Sequence, residues 1–78
     1  MILRKLGPQT DAARCQGGRD CPNIFELTTG DFAIIGADIT AQAVSTLPKD
    51  AGCGPDERIV RVPRRTLVLA RPDIPATL

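Results

Sequence analysis

A chain of 78 residues is expected to form one small domain over 1–78, and folding at this size removes only ~60% of the surface the unfolded chain exposes. Ten Lys+Arg against nine Asp+Glu leave a net charge of +1, which argues against a general attraction to nucleic acid or membrane. Histidine, tryptophan and tyrosine are absent, so histidine general bases, Ser-His-Asp and Cys-His catalysis and histidine metal sites are all excluded.

The first residues, Met1-Ile2-Leu3-Arg4-Lys5-Leu6-Gly7-Pro8, lack the apolar h-region of a signal peptide. The longest apolar stretch, Phe32 to Ala37, is six residues, against the ~20 of a helical membrane span. A cytoplasmic protein with reduced thiols is the expectation. Ile2, Leu3 and Leu6 among positive charges suit a short edge strand, ended by Gly7-Pro8. Residues 7–21 show neither a helical nor a strand period, and Gly17-Gly18 lies near their centre. They are read as a mobile loop.

Residues 22–36 predict a hairpin. Ile24, Phe25 and Leu27 form one arm, Thr28-Thr29-Gly30-Asp31 the turn, and Phe32-Ala33-Ile34-Ile35-Gly36 the return. Gly30 can take the positive φ that a tight turn needs. Alternation places Phe25 and Leu27 opposite Glu26, and Phe32 with Ile34 opposite Ala33 with Ile35. The second arm is apolar on both faces, which predicts a central strand. Residues 38–48 predict a short helix with Thr40 or Asp38 as N-cap. Ala41, Val44 and Leu47 form its apolar stripe, and Pro48 stops it. Lys49 to Asp56 reads as a second loop.

Glu57 to Val62 reads as a strand. Pro63 cannot donate to a ladder, so it either ends that strand or opens a helix at the first helical position. Residues 63–70 fit a helical turn or a further strand, and the helical turn is preferred. The tail 71–78, with Pro72 and Pro75, is expected to be extended or disordered.

The pattern Cys21-Pro22-x-Ile24-Phe25-Glu26-Leu27-x-x-Gly30-Asp31-Phe32-x-Ile34-Ile35-Gly36-x-Asp38-x-Thr40, followed by Gly54-Pro55-x-Glu57-Arg58-Ile59-Val60-Arg61-Val62-Pro63-Arg64-Arg65-x-Leu67, resembles short uncharacterised proteins of actinomycetes. These are encoded near helix-turn-helix regulators in developmental or antibiotic-control loci. The resemblance spans about residues 21–70. It implies a regulatory accessory protein and carries over no catalytic residue. Cys15 and Cys53 lie outside it.

Few side chains can carry chemistry. The three cysteines, Cys15, Cys21 and Cys53, are too few for a structural zinc site without a further ligand and lack a C-x-x-C pair. Their odd number excludes a complete disulfide framework. A Cys15–Cys21 bridge across the glycines is sterically possible, but free thiols are the preferred reading in a reducing compartment. Nothing basic adjoins Cys53 to activate it. Asp31 and Asp38 are separated by seven steps of ~3.3 Å, too far for a carboxylate pair at ~5–9 Å. Gly52-Cys53-Gly54 is not followed by Gly-Lys-Ser/Thr, so it is no phosphate loop. Arg58, Arg61, Arg64, Arg65 and Arg71 face only Glu57 over residues 57–71. Such a surface can meet phosphates or an acidic protein partner, or can be a solvated edge that resists aggregation. The lack of Tyr and Trp for stacking on bases counts against nucleic acid.

The sequence therefore predicts an α+β fold: a small antiparallel sheet of three to four strands with one or two short helices. No cofactor, metal or catalytic residue is expected. The expected role is a non-enzymatic regulatory and interaction module, accessory to a helix-turn-helix DNA-binding regulator, with Arg58, Arg61, Arg64 and Arg65 as the contact residues. The alternative is a small dimeric β-rich DNA-binding protein that uses the 58–71 stretch. The small core predicts a homodimer, and no membrane partner is expected.

Overall fold

The structure is a computed structural model, and its description covers residues 1–7 and 22–78. A three-stranded antiparallel sheet is built from β1 (Ile2–Lys5), β2 (Asn23–Leu27) and β3 (Phe32–Ile35) in the order β1-β2-β3. A separate two-stranded antiparallel sheet pairs β4 (Ala37–Asp38) with β5 (Val60–Arg61). Two short helices complete the described fold: α1 (Thr40–Ala43) and α2 (Arg64–Ala70). This is the small α+β class expected.

The β2–β3 hairpin forms where the alternating pattern places it. Leu27 N–H donates to Asp31 O at 2.8 Å and Gly30 N–H to Leu27 O at 3.0 Å. Gly30 takes φ +93°, a backbone region that only glycine enters without a Cβ penalty. The register pairs Ile24 with Ile34, Phe25 with Ala33 and Glu26 with Phe32. Directly paired residues share a face, so Ile24, Glu26, Phe32 and Ile34 line one side. Phe25, Ala33 and Ile35 line the other.

The expected central position of the 32–36 strand is not what forms. Among the described residues β2 is the central strand and β3 an edge. Apolarity on both faces of β3 does not reflect burial on both faces: Phe32, Ile34 and Ile35 remain 40%, 47% and 54% exposed. Among the described residues the buried apolar cluster is small and consists of Leu6, Ile24 and Ala70. It forms where the last turn of α2 packs on β2, and the small Ala70 side chain permits the close approach. Gly7, at φ +80°, lies against the same helix: a Cβ there would stand 3.3 Å from Leu69 O.

Three further expectations are corrected. The helix expected over 38–48 is reduced to α1 and a 3-10 turn at Val44–Thr46, and the stripe is largely uncovered, with Ala41 and Val44 exposed and only Leu47 half-buried. Neither Thr40 nor Asp38 is the N-cap, which is Ile39; the Asp38 carboxylate instead accepts the Thr40 N–H at 3.0 Å from one residue further back. The strand expected over 57–62 shrinks to β5. Its first residues close a turn, with Glu57 N–H donating to Gly54 O at 3.1 Å and Gly54 N–H donating to Glu57 Oε1 at 2.7 Å.

The tail is not wholly extended. Arg71–Asp73 form a 3-10 turn held by β1: Gly7 N–H donates to Asp73 Oδ2 at 2.7 Å and Arg4 Nη2 to Asp73 O at 3.0 Å. Arg4 also donates from Nε to Glu26 Oε1 at 2.9 Å, so one guanidinium ties β1, β2 and the 3-10 turn after α2 together. Of the stretch 7–21, read as a loop, all but Gly7 lies outside the described residues, as do Cys15 and Cys21.

Candidate interaction surface

The ambiguity over residues 63–70 resolves as helix. Pro63 sits at the N-cap of α2 with φ −57° and ψ 146°, an extended conformation its ring accepts. The helix turns Thr66, Leu69 and Ala70 inward: Ala70 is buried, and Thr66 and Leu69 are half-buried. Arg64, Arg65, Leu67, Val68 and Arg71 are exposed. Positions three and four apart share a helix face. Arg64, Leu67, Val68 and Arg71 therefore form one outward strip, in which two apolar side chains, 52% and 49% exposed, lie between arginines.

The four arginines expected to act together are not equivalent. Arg58 is engaged with its own loop: Nη1 donates to Glu57 O at 2.7 Å and to Pro55 O at 3.3 Å, and Nε stands 4.0 Å from Asp38 Oδ2. Arg61 lies on β5 opposite Ala37. Arg64 and Arg65 occupy the first turn of α2, where no acidic residue accompanies them. Cations at that end oppose the helix dipole at a cost of ~0.3–1 kcal/mol each.

Leu67 and Val68 were not among the residues expected to make contact. Their i+3 and i+4 spacing from Arg64 was the available signal, and it becomes readable only once Pro63 is taken to open a helix. The other polar constellation is structural. Thr40 Oγ1 accepts the Ile59 N–H at 2.8 Å and donates to Asp38 Oδ1 at 2.7 Å. The Thr40 hydroxyl first, then its backbone N–H, hold the Asp38 carboxyl below its ordinary 3.8; desolvation opposes them, and the Arg58 charge is the weakest contribution. Cys53 is half-buried and donates to Glu57 O at 3.3 Å.

Among the described residues no three His, Cys, Asp or Glu side chains gather as metal ligands, and no helix is long and apolar enough to cross a membrane. No protein family, curated protein or solved structure matches the chain.

Proposed function

We propose that the chain is a non-enzymatic interaction module, accessory to a helix-turn-helix DNA-binding regulator, and that it works in the cytoplasm. The observation that carries this reading is the outward strip of α2. Exposed large apolar side chains rimmed by charge are the usual mark of a protein-contact site, and arginine is enriched at such sites. A partner that fits presents an apolar ridge flanked by carboxylates. Arg58, spent on its own loop carbonyls, contributes little, so the contact set shifts from Arg58, Arg61, Arg64 and Arg65 to the α2 face of Arg64, Arg65, Leu67, Val68 and Arg71.

Two variants test it against a helix-turn-helix regulator and against duplex DNA. Arg64→Glu/Arg65→Glu replaces attraction by repulsion. Leu67→Ser removes apolar contact while leaving the charge alone. Both change exposed positions, so the fold should hold: Leu67→Ser should shift stability by less than ~0.5 kcal/mol, and the arginine reversal should leave the melting temperature unchanged or raised, because carboxylates suit the first turn of a helix. Regulator binding should weaken about tenfold or more in each, equivalent to ~1.4 kcal/mol. If only the arginine variant loses binding, and the lost binding is to duplex DNA with a steep salt dependence, the surface is a phosphate-contacting one. An unchanged affinity for both partners makes the strip a solvated face and overturns the reading.

A further inference from the structure

We infer that β3 is a self-association edge, and that two copies of the chain pair antiparallel through it, about a two-fold axis at Ala33, to join their sheets into one of six strands. This stands apart from the α2 strip and uses different residues.

The two edges of the sheet differ in kind. β1 carries Arg4 and Lys5, and its register with β2 shifts between Ile2 and Arg4. Charge and irregularity are the devices by which exposed edges avoid pairing with other chains. β3 has neither. Its four residues, Phe32-Ala33-Ile34-Ile35, include no charge, proline or glycine, and its register with β2 runs without a shift.

The hydrogen-bond phase determines what the edge presents. Leu27 and Asp31 are bonded across the hairpin, and bonded and non-bonded pairs alternate along an antiparallel ladder. Phe25–Ala33 and Asn23–Ile35 are therefore bonded pairs. The N–H and C=O groups of Phe32 and Ile34 point away from β2, toward the open side. A second copy turned about Ala33 sets Phe32 opposite Ile34 of the partner, and Ile34 opposite Phe32 of the partner. These are bonded pairs, and they supply four main-chain hydrogen bonds. They are also aromatic–β-branched pairs, a favourable cross-strand combination. Ala33 meets its own copy in a non-bonded pair, where Cα atoms approach to ~4.5 Å and a small side chain suits the spacing. A net charge of +1 per chain offers little repulsion between copies.

Four residues of strand cover less than the ~800 Å² per partner of a standard interface. Association is accordingly reversible and depends on concentration. Sedimentation equilibrium from about 1 μM to about 1 mM, a range that spans weak association, should show the mass rising from one chain toward two. Ile34→Pro removes only an outward-facing N–H, so the β2–β3 ladder keeps its bonds. Ile35→Lys places a charge on the exposed edge. Both should keep the far-UV circular dichroism of the parent and remain at the mass of one chain. The register has its own test. In a Cys15→Ser/Cys21→Ser/Cys53→Ser background, Ala33→Cys should cross-link into a dimer on mild oxidation, because ~4.5 Å lies within disulfide reach. The parent background should not cross-link, and adding Ile34→Pro should abolish the bridge. A wild-type chain that stays monomeric throughout, or a dimer that persists in both edge variants, overturns the proposal.

Discussion

Around β2, three apolar side chains lock β1 and α2 to the sheet, whereas β4 and β5 meet with no buried side chain of their own. In their place the two-stranded sheet has Thr40, whose hydroxyl joins α1 to the Ile59 backbone, and Gly36, over which β5 passes closely. The two regions depend on different physics. Burying an aliphatic side chain contributes ~1.5–3 kcal/mol, and a net hydrogen bond ~0.5–1.5 kcal/mol. The contrast teaches that a chain this small can extend its fold beyond its core by fixing backbone with backbone, at the cost of leaving that extension only locally stable.

The largest effect is expected at the apolar side. Ile24 is 3% exposed and is the largest contributor from the central strand. Ile24→Ala removes buried methyl groups from a cluster of three and should cost ~2–5 kcal/mol. The total stability of a chain this size is of order 5–10 kcal/mol. Thermal and urea unfolding followed by circular dichroism should show the transition moved down sharply or lost. A cost below ~1 kcal/mol would place the stabilising core somewhere other than the Leu6, Ile24 and Ala70 cluster.

Next in size is Gly36→Ala. The added Cβ would stand 2.5 Å from Arg61 O and 2.9 Å from Val62 Cγ1, and the backbone atom cannot rotate aside. Overpacking of this kind costs ~1–3 kcal/mol, directed at the β4–β5 pairing. Hydrogen exchange should show the Ile39 amide, which donates to Ile59 O at 2.9 Å, losing protection well before the Leu6 amide, which donates to Ile24 O at 2.9 Å. Equal loss at both would mean that the two regions unfold as one unit.

Thr40→Val keeps the shape and removes the hydroxyl. Ile59 N–H then loses its acceptor, and the cost should be ~1–3 kcal/mol, reduced by whatever water reaches this half-buried site. The Ile59 amide should exchange faster while the melting temperature moves little. A large fall in global stability with Ile59 exchange unchanged would show that Thr40 acts through packing.

What was legible in the residues follows the range of the interactions. The hairpin could be read because alternation and Gly30 are local signals, and the facing of Phe25, Leu27, Phe32 and Ile34 came with it. The edge position of β3 could not. Apolarity on both faces usually reports burial, and here that signal describes a surface left uncovered by the described residues. Asp73 was read as part of a loose tail because its partners, Arg4 and Gly7, lie 69 and 66 residues away. At the candidate surface the arginines were visible as a charge imbalance. Arg58 was counted among them because nothing in its sequence shows that it will turn onto the carbonyls of Pro55 and Glu57. Leu67 and Val68 stayed hidden behind the choice between helix and strand that Pro63 left open.

The smallest expected effect concerns Asp38, which fastens the polar side from solvent. Its carboxylate accepts both the hydroxyl and the N–H of Thr40, at 2.7 and 3.0 Å, so the ionised form is favoured in the folded chain and the pKa falls below 3.8. A carboxyl with a depressed folded pKa adds stability that is fully present above its unfolded value and fades as pH drops through the folded one. Between pH 7 and pH 5 the β4–β5 region should therefore be indifferent to Asp38, and its loosening should begin only below about pH 4. The Asp38 side chain is 60% exposed, so the change is local rather than global. The Thr40 amide proton resonance is the direct probe, because it points at the titrating oxygen. Its shift should follow a midpoint below 3.8 in the parent chain, and Thr40→Val should move the Asp38 carboxyl carbon midpoint back up toward 3.8, the ordinary value. Arg58→Ala should move it much less, since that guanidinium is 4.0 Å away and screened by water. If removing Arg58 shifts the midpoint more than removing the Thr40 hydroxyl does, charge and not hydrogen bonding holds this side of the fold.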